Sequence, residues 1–292
     1  MQRVYQHPDV AAIIRLALDE DLRGHLDITC GALVPPQAQL SGVVRAKEAG
    51  VLCGMPLFAM VFAQCGGAVA ISHQAADGTA VKPGDIVLRF AGSALAILTA
   101  ERTALNLVQR LSGTASATRR LVDAVAGTRA RILDTRKTTP GMRVLQKHAV
   151  VCGGGMNHRH GLHDAVLIKE NHIALMPPGP LGSGPAEAVR RARAVVGPAI
   201  PVEVEIERLE DLQPVIAAGA NIVLCDNMGP ELLLRAVALR DRLGAPVELE
   251  ASGGINLQSV RAVAETGVER ISTGAMTHSV NALDLSMRCD PC

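Results

Sequence analysis

Residues 201–227 read PVEVEIERLEDLQPVIAAGANIVLCDN, and this stretch decides the fold. Two short apolar runs, PVEVEI and NIVLC, flank a helical segment over 208–218. Strand, helix and strand joined by short turns make a right-handed βαβ unit, and hence a parallel sheet. Working outward, the same pattern recurs. RILDT (131–135) and AVLIK (165–169) precede it, and VELEA (247–251) and RIST (270–273) follow, with helical segments over 184–196, 230–243 and 256–266. Six or seven such units within residues 114–292 predict a short, incomplete (β/α) barrel.

Residues 1–113 read differently, as a small α+β domain. The opening MQRVYQHPDVAAIIRLALDEDL is an amphipathic helix, and Pro35-Pro36 breaks the chain after Asp27-Ile28-Thr29. Strand-like runs follow: LSGVVRAKEAG, GVLCGM, AVAISH and DIVLRFAG. The VKPGD between the last two resembles the turn of biotin or lipoate carriers. No exposed modifiable Lys sits in a hairpin tip, so Lys82 is read as a turn residue. From Leu98 to Val125 apolar residues recur at three and four, and Gly113 is expected to split the segment into two helices. The domains expected are therefore 1–113 and 114–292, the last helix packing back on the first.

Net charge is +1, so no bulk field recruits nucleic acid or an anionic membrane. The aromatics are Tyr5, Phe58, Phe62 and Phe90 with no Trp, which leaves little for base stacking. Apolar runs are too short to span a bilayer, and the first residues carry acids and no cleavage pattern. Seven Cys without framework spacing predict reduced thiols and a cytoplasmic protein. Cys289 and Cys292 have CxxC spacing but lack a following helix, so they are read as a frayed tail.

In a parallel barrel the chemistry lies where strands end. Here Arg136-Lys137 follow the first strand, Lys169-Glu170-Asn171-His172 the next, Asp226-Asn227 follow NIVLC, Ser252-Gly253-Gly254 follow VELEA, and Gly274-Ala275 follow RIST. Glu203 and Glu205 are two apart on one strand, hence on one face. Arg136, Lys137, Arg143, Lys147, His148, His158, Arg159, His160, His163 and Lys169 stand against the single acid Asp164. Such a basic run, beginning and ending at strand tips, is expected at the barrel mouth to grip an anion. Glu205 and Asp226, on neighbouring strands, suit a hard cation such as Mg²⁺. The two glycine turns suit phosphate. In CGGGMNHRHGLHD, Cys152, His158, His160 and His163 are zinc-ligand types close in sequence, but a flexible glycine string and Arg159 argue against that ion.

The runs AERTALNLVQRLSG (100–113), DTRKTTPG (134–141), CGGGMNHRHGL (152–162), LIKENH (167–172), VEVE (202–205), LCDN (224–227), EASGGI (250–255) and STGAMTHS (272–279) together resemble the quinolinate phosphoribosyltransferase family. The likeness spans about Leu16 to Leu285 with its motifs in order. It implies an N-terminal α/β sandwich and a seven-stranded, incomplete α/β barrel. It implies phosphoribosyl transfer from phosphoribosyl pyrophosphate (PRPP) to quinolinate with decarboxylation, Mg²⁺, and a homodimer with shared active sites. By matching motifs, Thr135, Arg136, His158, Arg159 and Lys169 are expected to hold quinolinate, with Arg102 reaching in from the partner subunit. Lys137, Ser252, Gly253, Gly254, Gly274, Ala275 and Met276 are expected to bind phosphate and pyrophosphate, and Glu205 and Asp226 to serve Mg²⁺ and the ribose hydroxyls. Two rival readings are a Schiff-base aldolase with Lys169 as nucleophile and a non-catalytic anion-binding module.

Overall fold

A computed structural model describes residues 2–292. A 3-10 turn over Gln2–Gln6 precedes α1 (Pro8–Leu22) and α2 (Ile28–Leu33). Pro8 opens α1, where its missing N–H costs nothing, and His7 caps it by accepting from the Asp9 N–H at 3.2 Å. Val10, Ile14 and Leu18, four apart, form its buried stripe. Next come β1 (Gln39–Ala46), β2 (Gly50–Val51), α3 (Leu57–Gln64), β3 (Val69–Gln74), β4 (Ala80–Val81), β5 (Ile86–Ser93) and α4 (Ala94–Ala124). The alternating half carries β6 (Arg131–Leu133), α5 (Arg143–Cys152), β7 (Val166–Ile168), α6 (Glu170–Ala174), α7 (Pro185–Val196), β8 (Val202–Ile206) and α8 (Leu212–Ala217). It continues through β9 (Ile222–Asp226), α9 (Pro230–Arg242), β10 (Glu248–Ser252), α10 (Val260–Glu265), β11 (Arg270–Ser272), α11 (Ala275–His278) and β12 (Leu285–Pro291).

These elements form two compact units. The first holds residues 1–119, 138–154 and 276–292, and the second holds 120–137 and 155–275. In the first unit an antiparallel sheet runs β12-β1-β5-β3. Its core gathers Phe58, Phe62 and Phe90, with ring centroids 6.2 and 5.5 Å apart along the row. Each buried ring is worth about 1.5–3 kcal/mol of burial, in a core otherwise made of aliphatic and sulfur-bearing side chains. VKPGD is a tight turn, closed by the Lys82 N–H donating to Asp85 at 2.8 Å.

The second unit is a six-stranded parallel sheet, β6-β11-β10-β9-β8-β7. The last strand pairs with the first, as the strands of a barrel do, and the ring is open beside β7. The seventh strand is reduced to a single parallel bridge between Leu133 and Met156. The cause is local: Gly153, Gly154 and Gly155 precede Met156, and glycine gains little from strand pairing.

Two further expectations are corrected. Gly113 does not split α4, which runs unbroken. A Cβ there would sit 2.1 Å from the Asn281 carbonyl oxygen, so this glycine is required by a backbone crossing rather than by a break. The chain end returns to the first unit, but as strand β12 rather than a helix, pairing with β1 from Leu40–Pro291 to Ala46–Leu285. Its residues LSMRCDP carry a partly alternating burial that suits an edge strand. That places Cys289 in the sheet, with burial pushing its thiol up to about 11, while Cys292 lies exposed. No helix among the described residues is long and apolar enough to cross a membrane.

Candidate active site

All six parallel strands end at one edge of the sheet, so the residue after each strand is delivered to a common rim. After β6, Asp134 is buried and its Oδ1 accepts from the His158 N–H at 2.9 Å. This fixes the NHR run beside the first strand. Thr135 accepts from the Lys137 N–H at 3.0 Å, which tightens the turn carrying Arg136. The Arg136 Nε is buried and finds no hydrogen-bond partner among the described residues. A buried guanidinium nitrogen without a partner is costly, and an anion is what satisfies it. Arg159 lies close enough to Arg136 that, after burial, the like charge helps to pull its pKa down. Its guanidinium is steadied by donation to the Ala165 carbonyl at 3.1 Å.

Across the rim, Lys169 Nζ donates to Glu205 Oε2 at 2.7 Å. Burial first, and then the neighbouring Asp226 charge, push the Glu205 carboxyl up against the pull of Lys169. Asp226 ends β9 and accepts from the Asn227 amide at 2.6 Å. Asn227 takes a left-handed backbone (φ 54°), and its N–H donates to the Ser252 carbonyl at 2.9 Å. Gly253 (φ 98°) follows; a Cβ there would lie 2.1 Å from the Asn227 side chain, so only glycine permits this close turn. Beyond β11, Thr273 donates to the Ile255 carbonyl at 2.8 Å and accepts from the Ala275 N–H at 3.2 Å. The Gly274 and Ser252–Gly254 turns are thereby tied together.

The expected site residues do not all land alike. Arg136, Arg159, Lys169, Glu205, Asp226 and both glycine turns share the second unit. The basic run is divided between the two units. Arg143, Lys147 and His148 lie on α5 in the first unit, where Lys147 is fully buried and His148 meets Asp77 at 3.1 Å. Helical periodicity within α5 overrides proximity in sequence. Met276 is buried in the first unit, its sulfur accepting from Thr118 at 3.2 Å, so its side chain is core. Arg102 is exposed on α4.

His158 takes a place the sequence did not suggest. Its Nε2 faces Glu203 at 3.0 Å and Glu250 at 3.5 Å, while its Nδ1 accepts from the Arg159 N–H at 2.7 Å. Burial works against a charged ring, and the two carboxylates raise it more strongly. Arg270 closes this buried set by donating to Glu250 at 2.7 Å. Burial and the Glu250 charge push Glu203 up, and one oxygen of each of these carboxylates has no hydrogen-bond partner among the described residues. The signal was present in VELE (247–250), where glutamates alternate with apolar residues on a strand buried on both faces.

The sequence pattern of the quinolinate phosphoribosyl transferase N-terminal domain matches residues 27–112, and that of its C-terminal domain matches residues 114–288. The chain belongs to the quinolinate phosphoribosyltransferase family. Within this family it is 42% identical over 276 residues to the nicotinate-nucleotide pyrophosphorylase (carboxylating) of Mycobacterium leprae, covering 94% of this chain and 95% of that protein. It is 40% identical over 268 residues to a probable nicotinate-nucleotide pyrophosphorylase (carboxylating) of Bacillus subtilis, covering 92% and 89%. The solved structure of the nicotinate-nucleotide pyrophosphorylase from Francisella tularensis superimposes with a TM-score of 0.88 at 38% identity, covering 97% of this chain and 98% of that one. A quinolinate phosphoribosyltransferase fold is thus shared over almost the whole length, α/β barrel strands and N-terminal sheet together.

Proposed function

We propose that this family member transfers the phosphoribosyl group of PRPP to the ring nitrogen of quinolinate, with loss of carbon dioxide. The products are nicotinate mononucleotide and pyrophosphate, and the reaction belongs to de novo NAD biosynthesis. The observation that carries the reading is the buried, unsatisfied Nε of Arg136 beside Arg159. Two guanidiniums side by side repel each other unless a dianion lies between them, and quinolinate brings two carboxylates. Thr135 and Lys169 complete the cradle, and His158 orients Arg159 from behind through its backbone bond. Lys137 and the turns at Ser252–Gly254 and Gly274–Met276 receive the phosphates through charge and backbone N–H groups.

Glu205 and Asp226 are hard oxygen donors at neighbouring strand ends, and a cation beside both would relieve the repulsion and burial that push Glu205 up. They are the residues that would hold Mg²⁺. When bound, that ion neutralises the departing pyrophosphate. The chain's own groups do the rest. The carboxylates offset positive charge growing on the ribose, and the cationic cradle holds the ring nitrogen in line with the anomeric carbon. Once alkylated, the ring nitrogen bears a positive charge that stabilises the carbanion left as carbon dioxide departs. No nucleophilic side chain is needed.

We propose further that the protein acts as a homodimer in the cytoplasm, with the partner's Arg102 reaching each quinolinate site. The exposure of Arg102 on α4 and seven unpaired thiols are in keeping with this. An aldolase reading is disfavoured by the Lys169–Glu205 ion pair at 2.7 Å, which engages the Nζ that a Schiff base would need. The test is an assay with quinolinate and PRPP, with and without Mg²⁺, following released carbon dioxide. Mg²⁺-dependent release supports the proposal; borohydride trapping of a carbonyl substrate on Lys169 without PRPP consumption overturns it.

A further inference from the structure

Cys53, Asp77, His148 and Cys152 come together inside the first unit, and phosphoribosyl transfer uses none of them. Each offers one ligand atom, and these atoms all lie within 4.8 Å of one another. The four arrive from separate places: Cys53 follows β2, Asp77 lies between β3 and β4, and His148 and Cys152 stand one helical turn apart on α5. Spacing of i and i+4 puts the last two on one helix face, aimed at the same point. Cys53 is fully buried and Cys152 nearly so, while the side chains of His148 and Asp77 are 9% and 7% exposed. Four chemically active groups converging in a sealed pocket need a reason.

The geometry points to a structural zinc site at Cys53, Asp77, His148 and Cys152. Zinc takes thiolate sulfur at about 2.3 Å, imidazole nitrogen at about 2.0–2.1 Å and carboxylate oxygen at about 2.0–2.2 Å in a tetrahedron. The edges of such a tetrahedron are about 3.6 Å between sulfur and nitrogen and about 3.4 Å between nitrogen and oxygen. Here His148 Nε2 lies 3.5 Å from Cys152 Sγ and 3.1 Å from Asp77 Oδ2. Both separations are within a few tenths of an ångström of those edges, before any ion has drawn the ligands in. Two thiolate sulfurs are soft donors and imidazole is a borderline one, a set that selects zinc over Mg²⁺. The outer contacts are also those of a metal centre. The Tyr5 hydroxyl donates to Asp77 Oδ2 and the Met55 N–H donates to its Oδ1 at 3.0 Å, which fixes the carboxylate. The Tyr5 ring stands edge-on to His148, with centroids 5.5 Å apart. This ion would tie α5 to the loops after β2 and β3, and it is separate from any Mg²⁺ at Glu205 and Asp226, which lie in the second unit.

The test is elemental analysis of full-length protein purified without chelators in buffer containing Mg²⁺, with cobalt substitution alongside. One zinc per chain is expected, and the cobalt form should show a thiolate-to-cobalt charge-transfer band with the intense visible bands of tetrahedral coordination. Cys53→Ser and Cys152→Ser should each lose the metal, while Cys225→Ser should keep it. Tyr5→Phe should weaken zinc binding by about 10- to 100-fold. Where a ligand variant fails to fold, the cobalt spectrum of the unaltered protein decides. Absence of both zinc and the charge-transfer band, retention of zinc by both ligand variants, or a Cys53–Cys152 disulfide in the reduced-buffer preparation would each overturn the assignment.

Discussion

Arg136 concentrates the chemistry of the proposed site in one side chain. Its guanidinium can present a planar fork to a carboxylate, and its buried Nε has no other partner among the described residues. Arg136→Ala is expected to lower kcat/KM for quinolinate by roughly 10²–10³-fold, and Arg136→Lys should recover little, because an ammonium cannot reproduce the fork. Steady-state kinetics against quinolinate checks both. The carboxylates are expected to act on the other substrate. Glu205→Ala with Asp226→Ala should abolish turnover and its dependence on Mg²⁺ while largely sparing quinolinate binding by calorimetry. Equal loss of binding and turnover would remove the division of labour between the two sides of the rim. These residues were legible because each stands in or just past the C-terminal end of a strand, and that position is set by the local sequence pattern. The place of His158 was not. Its place in the basic run and the matching motif suggested the mouth, whereas its ring turns inward to Glu203 and Glu250, a choice made by two strands remote from it in sequence.

Among the elements, one buried ion pair ties α9 to the start of β11. Arg240 on α9 is 6% exposed and donates twice to Glu269, at 3.1 and 3.0 Å, while the Leu249 N–H of β10 donates to the same carboxylate at 3.0 Å. Glu269→Ala leaves the buried guanidinium with only Asp241 and the Val247 carbonyl as partners, and a loss on the order of 1–3 kcal/mol is expected in denaturant unfolding. Burial alone would raise the Glu269 pKa, but Arg240 and the backbone donor hold it below the usual value of 4.5. A depressed carboxylate stabilises the native state above its unfolded pKa and loses that contribution as pH falls through the native one. Stability should therefore decline below about pH 4.5, and Glu269→Gln should flatten that decline; an unchanged acid limb would exclude Glu269 as its source. In α4, Gly113→Ala should destabilise by about 1–3 kcal/mol although alanine is the better helix former, because the Asn281 carbonyl occupies the space. Periodicity found this helix but misread its glycine, since the reason for it lies in a strand of chain about 170 residues further on, between Gly113 and Asn281.

At the scale of the molecule, the proposed dimer gives Arg102 its purpose. A second carboxylate needs a second cationic clamp, so Arg102→Ala should weaken quinolinate far more than a monocarboxylate analogue. Mixing the Arg102→Ala and Glu205→Ala proteins under subunit exchange should restore activity that neither parent has, because a mixed dimer keeps one intact site. Failure to complement, in a preparation shown to exchange subunits, would sink the shared-site arrangement. The sequence by itself determined the parallel sheet, its strands to within about a residue or two, and the rim residues, because alternation of apolar runs and turns is local physics. It also carried the family motifs in order. Tertiary structure alone decided which neighbours those residues keep. It dispersed the basic run from Arg136 to Lys169 between two units. It also took Cys152 away from the nearby histidines of its own loop to join Cys53, Asp77 and His148. The physical reason is the same in each case: burial and ion pairing are satisfied between segments far apart in the chain, and spacing along the sequence does not encode which distant segment will supply the partner.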